Sequence, residues 1–593
     1  MPSFNETFFG LVFHKQLAKW PTFQYPEEKA DFKAPERFMP GYKTRLQQQQ
    51  QQGTTSPGGS SSNSSTNASP NEKSNDEIEK TPEMGDDNDP YLVDWNGEND
   101  PDNPFAWSGP QKGWFLFQIM LLTTSVYMGS SIVSPAIPLM AEYWHIGMTP
   151  AALALSLFVF GYGIGPMIGL CAASEIPAIG RVIPYILTLF IFVILQIPTA
   201  LVNNVAGFMI LRFLAGLFGS PPLATGGASV QDVWTPMNAP LAMGAWGISA
   251  SAGPVLGPLI GGFAAQGFEK TSLGLGAWRW TIWPLLILTG IALGVLTFGM
   301  HETSGTNILA RRAARLRKAT GNPHLRSKGE LFQATMTGRE IALMTFVRPF
   351  RLGLMEPIAL SINLHIGLVY GVLYSFFEAF PIVFTETYGF NLGESGLAYL
   401  GIFVANLAVY GLFALWFLKY FRPKMIREKG RVAPEYWLQP AMVGGLCLPA
   451  SLFFFGWTAN KSIHWIVPII GTMLFSPGIF GLFTSGLNYL GMTYPEYVAS
   501  VFSANDFMRA SIGAAMPLVS RQMFNNLNRG PKNFPVAWGC TLLGSIALLM
   551  SVIPYALFYF GPALRRASSY AKDPMQGGDQ PAKENKEDVE AAQ

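Results

Sequence analysis

The chain has 593 residues, of which 49% are hydrophobic and only 13% are charged, against roughly a quarter charged residues in ordinary soluble domains. This composition is typical of a membrane protein. The net charge of +2 comes with no concentrated basic face outside one segment, which excludes nucleic acid as a partner. The three cysteines all lie in apolar stretches, so no disulfide framework is indicated.

The N-terminal part of the chain differs from everything after it. A glutamine run at 47–52 is followed by a Ser/Asn-rich tract and an acidic stretch at 86–89. Such a composition predicts a disordered tail over residues 1–110. The preceding FFGLVFHKQLAKW has no long apolar core and no small-residue cleavage site, so we expect no cleaved signal peptide.

Apolar stretches long enough to cross a bilayer, which takes about 20 residues as a helix, recur along the rest of the chain. Their centres lie near residues 126, 162, 191, 217, 254 and 290, and again near 368, 406, 448, 476, 510 and 548. We therefore predict an all-α membrane protein with six-helix bundles at 111–300 and 353–562 around a central cavity. Residues 301–352 form a central segment, and 563–593 form a C-terminal tail.

Basic residues predict the orientation. Ten lysines and arginines fall between Arg311 and Arg351, against three acids in the whole central segment, which places this segment in the cytoplasm. The basic stretch at 422–431 lies an even number of spans away, on the same side. Arg529 and Lys532 fall in a predicted outer loop, but two bases do not outweigh ten. Both termini are then cytoplasmic.

The run GAWGISASAGPVLGPLIGG at 244–262 lies in the predicted fifth helix. Gly253, Gly257 and Gly261 recur every four residues and share one stripe, where a neighbouring helix can approach backbone to backbone. Pro254 and Pro258 add kinks on an adjacent stripe. The spacing alone is also compatible with ordinary packing between small residues.

One guanidinium lies inside an apolar helix, at Arg212 in LRFLAGLFGS. Placing it against lipid would cost roughly 3 kcal/mol or more, so it must face protein or a wet cavity. Two roles stay open. Arg212 either makes hydrogen bonds between helices or provides a fixed positive charge that acts on a nearby acid or water.

Acids at membrane depth are candidates for carrying a proton. Glu378 is flanked by aromatic residues in YSFFEAFPIVF, where desolvation favours the neutral acid, and it is our first candidate. The alternative is an acid near the outer interface that binds water. Asp506 stands three residues before Arg509, which predicts a local ion pair near the cytoplasmic end of the helix. Asp232 lies at the end of the fourth helix and is expected at the membrane–water interface.

Two of these features resemble motifs of the drug:proton antiporters in the major facilitator superfamily. The fifth-helix glycine pattern matches their antiporter motif, and Arg212 with Gly216 resembles their fourth-helix motif. The resemblance implies an outer seal and a role for this arginine in proton transfer. The antiporter-motif residues are Gly244, Gly253, Gly257, Pro258, Gly261 and Gly262.

Between the second and third helices, SEIPAIGR resembles a reduced form of the superfamily's cytoplasmic loop motif. Glu175 replaces the usual aspartate, whereas Gly180 and Arg181 are retained. The resemblance implies a conformational latch, which is a charge contact between helix ends.

Longer stretches resemble the fungal benomyl/methotrexate-type multidrug transporters. They include DPDNPFAWS, LTTSVYMGSSIVSPAI and ASVFSANDFMRASI, while His301 departs from the proline usual before Glu302. The resemblance implies the twelve-helix major facilitator fold and efflux of azoles, benomyl, methotrexate and cycloheximide-like inhibitors by proton antiport. It further implies a monomer in the plasma membrane that uses the proton gradient and needs no cofactor or metal.

An aromatic-rich pocket would suit substrates of varied chemistry, because apolar contact is not directional. The predicted lining, for which plain packing is the alternative, is Tyr127, Trp246, Tyr370, Tyr374, Phe377 and Asn505. A carrier of one metabolite, such as a polyamine or a sugar, remains an alternative on this fold, although the glycine pattern argues against it. No GxxxxGK[ST] loop and no histidine cluster are present, which disfavours a nucleotide-driven pump or a membrane enzyme.

Overall fold

The computed structural model describes most of the chain. The described residues are 6–20, 23–29, 31–42, 45, 89–97, 99–169, 176, 178–269, 274–335, 337, 339, 342–429, 432–495, 497–528, 534–568 and 570–571. The glutamine run, the Ser/Asn-rich tract, Glu175 and Cys171 lie outside them.

Among the described residues, eleven helices are long and apolar enough to cross a membrane. The first half has α1 (Gly109–Tyr143), α2 (Met148–Ile168), α3 (Val182–Leu201), α4 (Val205–Val233), α5 (Ala239–Glu269) and α6 (Gly274–Gly299). The second half has α7 (Pro357–Thr387), α8 (Leu392–Arg427), α9 (Pro434–Thr458), α10 (Ile466–Thr493) and α12 (Ala537–Ala567). These ranges contain eleven of the twelve predicted centres.

The remaining predicted span is α11 (Val498–Leu527), a helix of 30 residues. It carries Asp506, Arg509 and Arg521, and these charges lower its mean hydropathy below that of its neighbours. Asp506 and Arg509 are nevertheless buried. The helix therefore packs in the protein interior. Charged side chains inside a membrane bundle rarely face lipid, and they often mark functional positions.

The two halves meet through α5 against α8 and through α2 against α11. The Nδ2 of Asn406 in α8 donates to the Oγ of Ser251 in α5 at 3.0 Å. A Cβ added at Gly163 in α2 would collide with the Cβ of Ala510 in α11. Small residues thus allow helices of different halves to approach closely, as in other membrane bundles.

The described parts of the N-terminal tail are folded, which corrects the prediction of a disordered tail for those residues. The tail strand β1 (Leu92–Val93) pairs in parallel with β2 (Arg326–Ser327) of the central segment. Phe38 and Val93 of the tail are buried with Ala313, Leu316 and Leu325 of the central segment in a separate small core. Composition suggested disorder because the tail is polar, but its few apolar residues find partners in the central segment.

The central segment itself is mostly helical. A basic helix spans Gly305–Thr320. The side chain of Ser304 caps its beginning, and Gly321, in a left-handed conformation, caps its end. A second helix, Lys328–Thr335, follows β2, and Arg348–Met355 leads into α7. We call the side of the molecule that carries this segment the central-segment face, and the other side the opposite face.

Candidate transport site

A cavity of about 860 Å³ lies at the central-segment face. Its bundle walls come from α4 of the first half, including Thr225 and Asp232, and from the beginning of α11, including Phe502 and Ser503. It therefore separates the two halves at this face. Its volume falls within the range of small-molecule sites, which is about 300–1,000 Å³.

Residues outside the two bundles complete the cavity wall. The tail contributes Trp95 and the 3₁₀ turn Pro104–Ala106 through Pro104 and Phe105. The central segment contributes Lys328 and Phe332, among others. The wall thus combines four aromatic rings with polar and charged side chains such as Gln231 and Asp232, although most of its surface is apolar, as in pockets for drug-sized compounds.

A buried polar cluster lies at the centre of the bundle, between the halves. Its members are Tyr127 and Tyr162 of the first half and Tyr370, Tyr374, Asp506 and Arg509 of the second, each at most 3% exposed. The hydroxyls of Tyr127 and Tyr370 are 3.4 Å apart, and those of Tyr162 and Tyr374 are 3.2 Å apart. These contacts join the halves through groups that can exchange hydrogen-bond partners.

Arg509 organises the second-half side of this central cluster. Its guanidinium binds the Oδ1 of Asp506 and donates from Nη1 to the hydroxyl of Tyr370 at 2.9 Å. The Oδ2 of Asp506 has no hydrogen-bond partner among the described residues. The predicted Asp506–Arg509 pair forms, but it lies in the central cluster and not near the end of the helix, and one carboxylate oxygen stays open to another donor.

The cavity ends about one helical turn from the central cluster. Ser503 lines the cavity in α11, three residues before Asp506, and Pro166 lines it in α2, four residues after Tyr162. At 1.5 Å per residue, both steps are about 5 Å along the helix axis. A small rearrangement of side chains would therefore connect the cavity with the cluster.

Arg212 is fully buried in α4 and does not line the cavity. Its Nε donates to the carbonyl of Ala154 at 2.9 Å and its Nη2 to that of Gly129 at 2.6 Å, while its guanidinium stacks over Phe158 at 4.5 Å. The arginine thus joins α4 to α1 and α2 through backbone carbonyls. Its Nη1 has no partner among the described residues, so the proton-transfer role stays a prediction.

Glu378 is buried in the half of α7 nearer the opposite face. Its Oε2 lies 3.7 Å from the Nη1 of Arg521 in α11, and its Oε1 has no hydrogen-bond partner among the described residues. Arg521 also binds the exposed Glu386 at 2.8 Å. Glu378 does not line the cavity, and its role as a proton carrier stays a prediction.

The six predicted lining residues are all buried, and none of them lines the cavity of 860 Å³. Three of them, Tyr127, Tyr370 and Tyr374, belong to the central cluster. Trp246 donates to the Oγ1 of Thr123 at 3.1 Å, and Asn505 donates to the Oδ1 of Asn363 at 2.9 Å. Phe377 packs on Tyr374, with ring centroids 5.4 Å apart. In this conformation the six pack the centre of the closed bundle.

The glycine stripe of α5 faces α1, as its spacing predicts. A Cβ at Gly253 would lie 2.8 Å from the carbonyl oxygen of Thr124, and one at Gly257 would lie 3.0 Å from the amide nitrogen of Ile132. A Cβ at Gly261 would collide with the carbonyl oxygen of Ile132. The side of α5 that faces α1 therefore leaves no room for a side chain.

The other members of the antiporter motif connect α5 to α8. A Cβ at Gly262 would collide with the carbonyl oxygen of Leu392. A Cβ at Gly396 would lie 2.7 Å from the carbonyl oxygen of Pro258. Gly244 instead faces the ring of Tyr410 in α8, off the α1 stripe. Close contact between backbones thus closes the opposite face.

The loop motif lies directly before α3 and contains Gly180, whose φ is positive at 77°. Arg181 binds the Oδ2 of Asp232, at the end of α4, at 3.1 Å. The backbone amides of Arg181 and Val182 donate to the carboxylate of Glu302 at 2.9 and 3.2 Å. An anion that accepts hydrogen bonds at a helix N-terminus is stabilised there. Glu302 therefore connects the central segment to the first half.

Sequence reasoning missed Tyr162 and the position of Arg509 at the centre. A tyrosine in an apolar helix looks like ordinary packing, and Arg509 looked like a local partner for Asp506. The available signal was the number of hydroxyls at equivalent depth: Tyr127, Tyr162, Tyr370 and Tyr374 each fall near the middle of a predicted span.

The fold and the site define a membrane transporter with two six-helix halves around a centre that one cavity approaches. A family model described as Major Facilitator Superfamily matches residues 119–517, and the chain belongs to this family. The chain is 44% identical to transporter mfs1 of Schizosaccharomyces pombe over 81% of this chain and 88% of that protein.

Two further relatives carry the names of resistance phenotypes. The chain is 43% identical to fluconazole resistance protein 1 of Saccharomyces cerevisiae over 82% of this chain and 86% of that one. It is 38% identical to the cycloheximide resistance protein of Candida maltosa over 96% and 99%. The xylose transporter XylE of E. coli shares the fold with a TM-score of 0.51 and 15% identity, covering 76% of this chain and 98% of that one.

Proposed function

We propose that the chain exports small amphipathic toxic compounds in exchange for protons, by alternating access. The observation that carries the proposal is the asymmetry of the site. A drug-sized cavity reaches within one turn of a buried polar cluster from the central-segment face, whereas backbone contacts between α5 and α8 close the opposite face. The basic central segment supports a cytoplasmic location of the cavity; we propose that both termini lie on that side and that the opposite face is outside.

The substrate class follows from the wall and from the relatives. Aromatic rings in a wall whose surface is mostly apolar suit compounds of varied shape, since apolar contact is not directional. Fluconazole and cycloheximide, the compounds in the names of two relatives, support azoles and cycloheximide-like inhibitors as substrates. We propose the same for benomyl and methotrexate, and we propose a monomer in the plasma membrane that uses no cofactor.

Two buried acids are proposed to carry the proton. Asp506 keeps one carboxylate oxygen without a partner among the described residues and stands one turn from the cavity. Glu378 likewise keeps its Oε1 without a described partner, nearer the opposite face. Together they offer proton sites at two depths, and a protonated acid would weaken its contact with Arg509 or Arg521.

The proposal can be tested with the purified full chain in liposomes and with cycloheximide, which carries no charge that would trap it in an acidic lumen. Export by proton antiport predicts that radiolabelled cycloheximide accumulates in vesicles with an acidic lumen and that a protonophore abolishes the accumulation. Liposomes without protein are the control. Accumulation in vesicles with an alkaline lumen would instead show symport, and would overturn the proposal.

A cell-based test gives the substrate range. A fungal cell that lacks its own drug pumps should become resistant to azoles, benomyl, methotrexate and cycloheximide when it expresses this chain. Sensitivity to all four, with the protein present in the plasma membrane, would contradict multidrug export and favour the alternative of a single-metabolite carrier.

A further inference from the structure

The tail is fastened to the central segment by ion pairs at three separate points. Glu6 lies 2.7 Å from the Nη2 of Arg311, and Glu27 lies 3.2 Å from the Nε of Arg315. The third point is Arg312, which is 4% exposed. All three arginines belong to the basic helix Gly305–Thr320, so tail carboxylates neutralise a surface that sequence alone presents as strongly basic.

Arg312 holds the part of the tail that reaches the cavity. Its Nη1 donates to the Oδ2 of Asp100 at 2.6 Å, and its Nη2 donates to the Oδ1 of Asp100 at 3.1 Å and to the Oδ2 of Asp102 at 2.8 Å. Its guanidinium also lies 5.7 Å from the ring of Trp95. Bidentate contacts of this kind fix orientation as well as position, so Arg312 sets where residues 95–102 run.

Phe105 is positioned by a second set of contacts. Its amide donates to the Oδ1 of Asn103 at 3.0 Å, and its carbonyl accepts from the Nζ of Lys112 in α1 at 2.9 Å. Its side chain is 47% exposed and lines the cavity. The backbone of Phe105 is thus held by hydrogen bonds, while its ring stays partly exposed and faces the cavity.

Aromatic rings face the cavity from several directions. Trp95 and Phe105 come from the tail, Phe332 from the central segment and Phe502 from α11. Such rings bind other aromatic groups by stacking and edge contacts, which add to plain apolar burial. The wall is therefore suited to flat, aromatic compounds.

We propose that Trp95 and Phe105 of the N-terminal tail form a binding surface for aromatic compounds in the cavity, and that Arg312 is the positioning residue for this surface. The inference rests on the proposed function and extends it: the tail would be part of the drug-binding route and not only a terminal extension. Compounds would contact this tail surface first and then move one helical turn to the central cluster.

The test measures binding of the aromatic dye rhodamine 6G to the full chain in nanodiscs by fluorescence anisotropy. Trp95→Ala and Phe105→Ala should each raise the Kd by about fivefold, the effect expected for loss of one aromatic contact. Trp114→Ala and Phe117→Ala are matched controls, because these rings are 48% and 50% exposed on α1 and do not line the cavity. Both controls should leave the Kd unchanged.

Arg312→Gln tests the positioning role. It should raise the Kd for rhodamine 6G as much as the Trp95→Ala/Phe105→Ala double variant does, and adding Arg312→Gln to that double variant should give no further increase. Arg312→Lys should restore part of the binding. Lys318→Gln is the control, because it removes a charge from an exposed position of the same helix.

The outcomes separate this inference from the proposed function. An unchanged Kd in the double variant, or no binding of the dye to the unaltered chain, overturns the tail surface even if cycloheximide is still exported. A further increase in Kd when Arg312→Gln is added to the double variant overturns the positioning role. Dye binding that depends on Trp95 and Phe105, without proton-driven export, would instead sustain the surface and remove the transport proposal.

Discussion

At the opposite face, α5 and α8 approach backbone to backbone, whereas at the central-segment face a cavity of about 860 Å³ separates the same two halves. Gly262 meets the carbonyl of Leu392 where the halves touch. At the other face, the prominent contacts are ion pairs such as Arg181–Asp232, which join helices of one half to each other. The two faces therefore depend on different kinds of contact: close backbone packing at the opposite face, and ion pairs at the central-segment face.

The difference shows how such a molecule can alternate. Backbone contacts across α5 and α8 have no side chains that could adjust, so they are either made or broken as a unit. At the central-segment face, the Arg181–Asp232 pair joins helices of the first half and Glu302 connects that half to the central segment, so these parts stay together while the halves separate. The predictions below alter the packing of α5 on α1, the arginine that joins α4 to α1 and α2, the buried acids, and one carboxylate of the central segment.

The largest effect is expected from Gly257→Leu. The added side chain would press α5 away from α1, and overpacking of about 1–3 kcal/mol should shift the seal enough to reduce transport by about tenfold to a hundredfold. Cycloheximide resistance and membrane abundance are measured together. Gly290→Leu is the control, because a Cβ there meets nothing within 4 Å. Full resistance with Gly257→Leu would show that α5 need not pack closely on α1.

Arg212→Ala should have the next largest effect. It removes two charged hydrogen bonds, each worth roughly 1.5–3 kcal/mol, and separates α4 from α1 and α2. Resistance should be lost while the protein still reaches the membrane, and Arg212→Lys should retain part of it. Arg279→Gln is the comparison, since Arg279 also lies over an aromatic ring, at 4.9 Å from Trp278. Unchanged resistance in Arg212→Ala would overturn its assigned role.

Replacing the buried acids should uncouple drug and proton movement. Asp506→Asn and Glu378→Gln are each expected to lower accumulation driven by a pH gradient by about tenfold, which corresponds to a coupling free energy of about 1.4 kcal/mol. Drug exchange at equal pH should continue. Glu386→Gln is the matched control for Glu378, because Glu386 shares Arg521 but is exposed. If both acid variants keep gradient-driven accumulation, neither acid carries the coupled proton.

Local patterns predicted the features that depend on nearby residues. Eleven of the twelve spans are long, apolar helices, the α1 contact follows from the four-residue spacing of Gly253 and Gly257, and Asp506 pairs with Arg509 within one turn. The partners of Arg212 could not be predicted in the same way, because they are backbone carbonyls, which every residue carries.

The tail could not be predicted because its partners are distant in sequence. Asp100 and Arg312 are separated by 212 residues, and a polar, acidic tail resembles a solvated chain when it is considered alone. Only the complementary excess of bases in the central segment hinted at a contact. The same reasoning accounts for the tail's contribution to the cavity wall, which no motif in residues 95–105 specifies.

The smallest effect is expected from pH at the central-segment face. Glu330 is partly buried, which would raise its pKa, but hydrogen bonds from Arg317 and from the amide of Ser327 outweigh burial and hold the pKa below its usual range. Stability from a carboxyl with a lowered pKa is present above the unfolded value of about 4.3 and is lost only as pH falls through the lower folded value. The contact that positions β2 should therefore not titrate at cytosolic pH.

Hydrogen–deuterium exchange tests this directly. The protection factor of the Ser327 amide, corrected for the intrinsic pH dependence of exchange, should stay constant between pH 7.5 and 5.5. Glu330→Gln should lower it by up to about fivefold, equivalent to the upper range of roughly 1 kcal/mol for a partly exposed ion pair, and by the same factor at both values. A protection factor that falls between pH 7.5 and 5.5 only when Glu330 is present would show that this face responds to protons, and that the two faces differ less in chemistry than their contacts indicate.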